Sequence, residues 1–380
     1  MLVSTSSYLD GKNVKFKRKG LICFVLLAAL YLIGCEQKQP SKQEVSLDTR
    51  LGLIQGFRQH DVLHFLGIRY AEPPVGERRF LPPKITLAWD GLYDATAYSH
   101  RCVQAEGGLE GEGTPFQEDC LFLNVFTPDQ KGVSRPVLFW IHGGGFCFGS
   151  LEADDYSVKS MVEAIGCVVV SVDYRLAPEF PFPTPLNDCY AALCWTFDQA
   201  DQLAIDRERI GIAGISAGGG LAAGLALLAR DKGEVNVVFQ GLLCPMIDHN
   251  SDRPSSHMIT DKRIWNRHSN LQGWMHYLGR GFTSEEQTVA ASKYAAPSHA
   301  SNLHGLPPAY IGVGSVDLFV DENKDYAERL QACGVNAQLA IFPGGYHAFE
   351  FYVPDAQISR TARATHYAAI KQGLFLSEGV

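Results

Sequence analysis

Short, largely apolar runs recur along this chain and constrain its fold more than any other feature. They are Pro136–Ile141 (PVLFWI), Cys167–Val172 (CVVVSV), Ile210–Ile215 (IGIAGI), Val237–Leu243, Ala309–Val313 and Gln338–Phe342. Runs this short, with little polar alternation, mark strands covered on both faces. Between them lie stretches of helical length: Tyr156–Ile165, Pro185–Gln202, Gly218–Ala229 and Asp321–Cys333. That alternation predicts βαβ units, a mostly parallel central sheet with helices on both faces and hence an α/β fold. Upstream, Leu51–Phe57, Val62–Tyr70 and Leu121–Thr127 are strand-like with no such helices between them, which predicts an antiparallel edge.

One segment, 248–306, is too long for a simple crossover and is read as a small cap insertion. Within it Leu271, Trp274, Met275 and Leu278 fall at i, i+3, i+4 and i+7, one face of a helix. That face buries itself against a core, and it can do so while covering a pocket. Trp274 and Leu278, with Phe146, are therefore candidates to line a substrate pocket.

The strongest local signal is Gly214-Ile215-Ser216-Ala217-Gly218, between an apolar run and a helical stretch. A G-x-S-x-G between strand and helix is a nucleophile elbow: the sharp turn projects the Ser hydroxyl at the strand's carboxyl end. Upstream, His142-Gly143-Gly144-Gly145-Phe146 directly follows PVLFWI. A glycine loop there can turn several N–H groups into one space, so Gly144, Gly145 and Ala217 are the candidate oxyanion donors, with His142 structural. A phosphate loop is the competing reading, but no G-x-x-x-x-G-K-[ST] and no G-x-G-x-x-G opening a helix is present. The base and its acid then follow the serine. His347, in Pro343-Gly344-Gly345-Tyr346-His347, follows one apolar run, and Asp317 follows another. His299 and His304 are alternatives for the base, and Asp321 for the acid.

The chain carries 33 Lys+Arg against 41 Asp+Glu, a formal charge of -8, which speaks against a nucleic-acid partner. The basic residues are unevenly placed: Lys12, Lys15, Lys17, Arg18 and Lys19 against Asp10 give the first 35 residues +4, leaving -12 for the rest. The apolar run Leu21–Ile33 is short for a spanning helix, and the basic cluster before it makes 1–34 a candidate signal peptide. Leu32-Ile33-Gly34-Cys35 resembles a bacterial lipobox, which implies cleavage before Cys35 and acylation of its thiol. An uncleaved anchor helix is the alternative. Residues 35–48 read as a tether and 49–380 as the folded domain. Cys102 and Cys120 lie in loop-like sequence, a plausible disulfide in an oxidising compartment; Cys167 and Cys244 lie in apolar runs and read as buried thiols.

Together these motifs resemble the carboxylesterases of the α/β-hydrolase superfamily. The front half is similar to type-B carboxylesterases in Phe65–Gly76 (FLGIRYAEPPVG), Trp89, Cys102 with Gln104, and Glu118–Val125 (EDCLFLNV). The back half resembles the hormone-sensitive-lipase group in Val172–Glu179 (VDYRLAPE), Asp188, Gly214–Gly219, and Asp317-Leu318 with Asp321-Glu322. The resemblance implies an α/β-hydrolase fold, a Cys102–Cys120 disulfide, and a catalytic triad of Ser216, His347 and Asp317. Ile215 departs from both groups, which usually carry an acidic residue there. The expected activity is hydrolysis of short-chain acyl esters, without metal or organic cofactor. The expected partners are a small-molecule ester and, through lipid at Cys35, a membrane. The expected location is the cell envelope outside the cytoplasm, on the outer membrane if the host has one. A polysaccharide acetyl esterase or a peptidase of the same fold is the nearest alternative. A non-catalytic adhesion domain would lack the serine, histidine or glycines that are present here. The oligomeric state is left open.

Overall fold

The apolar runs pair into one eleven-stranded sheet. The computed structural model describes residues 42–86, 88–105, 113–130, 132–279 and 291–375. The expected signal peptide and Cys35 lie outside the described residues. β1 (Gln43–Thr49), β2 (Gly52–Gln59) and β3 (Val62–Arg69) form an antiparallel meander, with β4 (Leu92–Asp94) added to β2. β5 (Arg101–Cys102) and β6 (Phe116–Gln117) make a separate small ladder. Next come β7 (Phe122–Pro128), β8 (Arg135–Ile141), β9 (Val168–Val172), β10 (Ile205–Ile215), β11 (Phe239–Leu243), β12 (Ala309–Gly314) and β13 (Ala337–Phe342). The main order is β1-β2-β3-β7-β9-β8-β10-β11-β12-β13. β7 is antiparallel to both neighbours, and every pair from β9 to β13 is parallel.

The helices are α1 (Asp155–Ile165), α2 (Thr184–Asp198), α3 (Ala217–Lys232), α4 (Pro254–Met258), α5 (Arg267–Leu278), α6 (Val320–Ala332), α7 (Phe349–Tyr352) and α8 (Gln357–Phe375). Successive side chains of a strand point to opposite faces, and here both faces are covered. Val137, Phe139 and Ile141 of β8 and Val168 and Val170 of β9 enter one core with Leu186 of α2 and Leu221 and Leu225 of α3. Leu138, Trp140 and Val169 enter the other with Val158 and Met161 of α1 and Ile370 and Leu374 of α8. That double burial is why these runs show no polar alternation.

The structure differs from the sequence reading at both ends. The expected tether 35–48 overlaps β1, which pairs with β2 from Gln43↔Arg58 to Thr49↔Gly52. β1 is an edge strand with largely exposed side chains, so it satisfies its backbone without an apolar face. At the other end α8 buries mainly small or polar residues, among them Ser359, Ala362 and Ala369, and so shows little amphipathic contrast. The helix expected within 248–306 is α5; its N-cap is Asn266, whose side chain accepts from the His268 and Ser269 N–H groups. Cys102 and Cys120 are joined by a disulfide.

A buried ion pair fastens the loop after β9. Arg175 Nε and Nη2 donate to the Asp188 carboxylate at 2.8 and 2.6 Å, and Nη1 donates to the carbonyls of Arg79 and Leu81, each at 3.0 Å. Removing one partner leaves the other charge buried and unpaired. Asp188→Ala should therefore lower stability by about 3–5 kcal/mol in urea unfolding, a cost that a surface pair could not produce.

Candidate active site

The parallel register brings the strand ends level. Ile141 stands opposite Gly214, Ile215 opposite Leu243, Leu243 opposite Gly312, and Gly314 opposite Phe342. The loops that leave these strands carry His142–Gly145, Ser216, Asp317 and His347, so residues as far apart in the chain as His142 and His347 emerge along one sheet edge.

Ser216 is the N-cap of α3, with φ 57° and ψ −121°, a sparsely populated conformation for a side-chain-bearing residue. Three backbone hydrogen bonds hold it there. Its N–H donates to the Leu243 carbonyl at 2.8 Å, and its own carbonyl accepts from Gly220 and Met246, both at 3.0 Å. The turn is so tight that a Cβ on Gly218 would overlap the carbonyls of Ile141 and His142. The glycine loop lies against Ser216, since a Cβ on Gly143 would come within 3.4 Å of Ser216 Cβ. Gly144, at φ 114°, takes a backbone conformation that other residues rarely adopt.

His347 bridges the two other expected partners. Its Nε2 lies 2.9 Å from Ser216 Oγ and its Nδ1 2.9 Å from Asp317 Oδ2. All three side chains are buried. Asp317 also accepts from the Phe319 N–H at 3.0 Å, which orients the carboxylate. Burial disfavours an imidazolium here, but the adjoining Asp317 carboxylate and the Cys244 sulfur together outweigh it and raise the His347 pKa well above its ordinary value. The alternatives lie elsewhere. His299 pairs with Asp248, His304 is exposed, and Asp321 accepts from the Ser255 N–H. His142 packs beneath the loop, stacked on Tyr174 at 4.4 Å, with Nε2 3.4 Å from Asp173. Cys244 is a buried thiol, as expected, its pKa pushed up by burial.

A cavity of about 90 Å³ opens beside Ser216. Its apolar walls are Phe148, Ile215, Trp265, Phe351 and Tyr352. Phe146, Trp274 and Leu278, expected to line the pocket, do not. Phe146 turns inward at φ 66° and stacks on Tyr277 at 3.9 Å, while Trp274 is buried against Phe146 and His249. Leu278 packs half-buried against the main core. The insertion does reach the cavity, but through Trp265 in the turn before α5, whose ring leaves no room for a side chain at Gly145. Phe351 and Tyr352 come from α7, just after His347. Among the described residues two clusters carry metal-ligating groups: Cys244, Asp317 and His347 at the site itself, and Asp248, His249 and His299 apart from it.

A family model described as the alpha/beta hydrolase fold matches residues 138–351. The carboxylesterase NlhH of Mycobacterium tuberculosis is 34% identical over 252 residues, which is 66% of this chain and 78% of that protein. An arylesterase of Saccharolobus solfataricus is 32% identical over 227 residues, 60% of this chain and 72% of its own. Among solved structures, a bacterial heroin esterase aligns with a TM-score of 0.64 at 32% identity, covering 94% of this chain and 91% of that one. The matched family span starts inside β8 and ends in α7, taking in each loop that meets Ser216; the chain belongs to the alpha/beta hydrolase fold family and is a carboxylesterase.

Proposed function

We propose that this carboxylesterase cleaves short-chain acyl esters through a Ser216–His347–Asp317 triad and an acyl-enzyme. The observation that carries the reading is His347, bonded to Ser216 on one side and to Asp317 on the other. Neutral His347 takes the Ser216 proton as Oγ attacks the ester carbonyl carbon. The carbonyl oxygen gains negative charge and meets the N–H groups of Gly144, Gly145 and Ala217, each such donor typically contributing ~3 kcal/mol. Imidazolium His347 then protonates the leaving alcohol. Water, deprotonated by the same ring, attacks the acyl-enzyme and releases the acid and free Ser216. Asp317 keeps the proton on Nδ1 and stabilises the imidazolium throughout.

The walls set the substrate size. A cavity of about 90 Å³ is well below the usual volume for drug-sized ligands. Each methylene gains ~0.8 kcal/mol only while it can be buried. Ile215, in place of an acidic residue, adds to the apolar wall.

The N-terminal motifs support a type-B-like front half, with its Cys102–Cys120 bridge. They also support an envelope enzyme whose residues 1–34 are removed and whose Cys35 carries lipid, at the outer membrane where the host has one. The support is the basic cluster, the short apolar run and Leu32-Ile33-Gly34-Cys35.

Each part of the reading has an expected outcome. Ser216→Ala abolishes hydrolysis with the fold intact by circular dichroism. An organophosphate labels Ser216 alone. In the active protein kcat/KM falls with decreasing pH as His347 protonates, with a midpoint above the ordinary histidine value of 6.5. Asp317→Asn moves that limb to lower pH, because the stabilising charge is gone, and cuts kcat by roughly 10³–10⁴. Should Asp321→Asn cripple the enzyme instead, the acid is misassigned. With p-nitrophenyl esters, kcat/KM peaks at acyl chains of about C2 to C6, while Trp265→Ala moves the peak to longer chains; a peak at C10 or beyond in the unmodified enzyme contradicts the small pocket. Mass spectrometry of the membrane fraction finds acylated Cys35 as the N-terminus, and Cys35→Ser releases the protein or leaves it unprocessed.

A further inference from the structure

The two ends of the insertion meet at a cluster of side chains that the hydrolytic reading does not use. Asp248 and His249 lie just past the end of β11, and His299 lies in the short turn Pro297–His299 near the end of the insertion. One carboxylate oxygen of Asp248 and one ring nitrogen from each histidine all lie within 4.8 Å of one another. Asp248 Oδ1 and His299 Nε2 are 3.0 Å apart, and the two imidazole rings lie 4.7 Å apart between centroids. Asp248 and His249 are buried, whereas the His299 side chain is 30% exposed, so the cluster has a path to solvent.

We propose that Asp248, His249 and His299 form a binding site for a borderline divalent transition-metal ion, Zn²⁺ being the type case, that clips together the two ends of the cap insertion. The donor set decides the class of ion. Two imidazoles and one carboxylate suit Zn²⁺, Co²⁺ or Ni²⁺, whereas Ca²⁺ and Mg²⁺ favour oxygen ligands throughout. Bonds of about 2.0–2.2 Å place neighbouring ligands of a tetrahedral ion ~3.4 Å apart. The Asp248–His299 pair is already near that separation, and the third ligand, within 4.8 Å of both, has to close by at most about 1.4 Å through ring rotation. Two of the three ligands stand on backbone that is held in place. The N–H groups of Ile247 and Asp248 donate to Glu322 of α6 at 3.0 and 3.3 Å, and the Asn250 N–H donates to Asp248 Oδ1 at 3.1 Å. Arg253 approaches the other oxygen, Oδ2, at 3.6 Å and is shared with Asp325 at 3.3 Å. On binding, His299 holds its proton on Nδ1 and presents the Nε2 lone pair to the ion in place of its present bond to Asp248. A clip between positions 51 residues apart restrains a long loop. That loop carries Trp265 to the cavity. The site also touches the body beneath the glycine loop, since the His249 ring lies 6.3 Å from Trp274, which packs on Phe146 at 5.2 Å.

The test uses the full chain without an affinity tag, stripped with a chelator and titrated separately with ZnCl₂ and CoCl₂. One equivalent of Zn²⁺ should bind saturably and raise Tm by about 3–6 °C. One equivalent of Co²⁺ should give visible d–d bands without thiolate charge transfer. His249→Ala and His299→Ala should each weaken binding at least tenfold, while metal-free ester hydrolysis stays within twofold. Cys244→Ser should bind as the parent does. Failure of the parent protein to bind one equivalent of either ion overturns the site whatever the variants do. Binding lost in Cys244→Ser but kept in the two histidine variants places the ion at Cys244, Asp317 and His347 and equally overturns it.

Discussion

The close approach of α3 to the end of β8 is the constraint on which the site depends. Gly218 sits against the carbonyls of Ile141 and His142 with no space for a Cβ. Only that contact lets the chain leave β10, turn at Ser216 and enter a helix within one residue. The turn places Ser216 in a conformation that costs about 1–3 kcal/mol. Its three backbone hydrogen bonds, to Leu243, Gly220 and Met246, come from the next strand, the same helix and the loop beyond β11. At about 1 kcal/mol each they offset such a strain. Ser216 is thus held by its neighbours in the sheet, and its position is as stiff as theirs.

The same edge explains the electrostatics. His347 and Asp317 leave β13 and β12, which pair in parallel with Gly314 opposite Phe342. Equal strand ends let two short loops bring an imidazole and a carboxylate to 2.9 Å without a long flexible arm. Burial strengthens that pairing, because the charge on Asp317 is poorly screened where the ring sits. A histidine that remained exposed would feel far less of it.

Much of this was legible in the chain because it is written in local pattern. The buried strands announce themselves as runs such as PVLFWI and CVVVSV, and G-x-S-x-G and HGGG keep their spacing to those strands. His347 and Asp317 were found by position after a strand, out of 12 histidines and 41 acidic residues. What stayed hidden depends on direction, which the residue pattern does not encode. Phe146 directly follows the glycine loop, but its positive φ sends the ring into the core and away from the cavity. Trp274 is buried in α5, but the helix buries Asn270, Gly273, Met275 and Tyr277 with it while Leu271 and Leu278 stay half-buried, and that face meets the body and not the cavity. Trp265 carries no periodic signal; its only sequence mark is Asn266, the cap that fixes where the turn ends. β1 was missed because an edge strand is held by its ladder and needs no apolar face.

The division of labour follows from these two kinds of position. The reacting atoms are fixed by the sheet, whose alternate residues lock into two cores and leave little freedom at the strand ends. The space around them is bounded by pieces that do not belong to the sheet: Trp265 from the insertion, and Phe351 and Tyr352 from a one-turn helix. Trp265 is held by a 3.2 Å bond from its Nε1 to Asn270, which in turn donates to Ser251. Changes in this shell can therefore alter which acyl group fits while the geometry of Ser216, His347 and Asp317 stays as it is. On the proposed reading, selectivity and chemistry rest on separate structural supports, and substrate range can shift without disturbing the reaction.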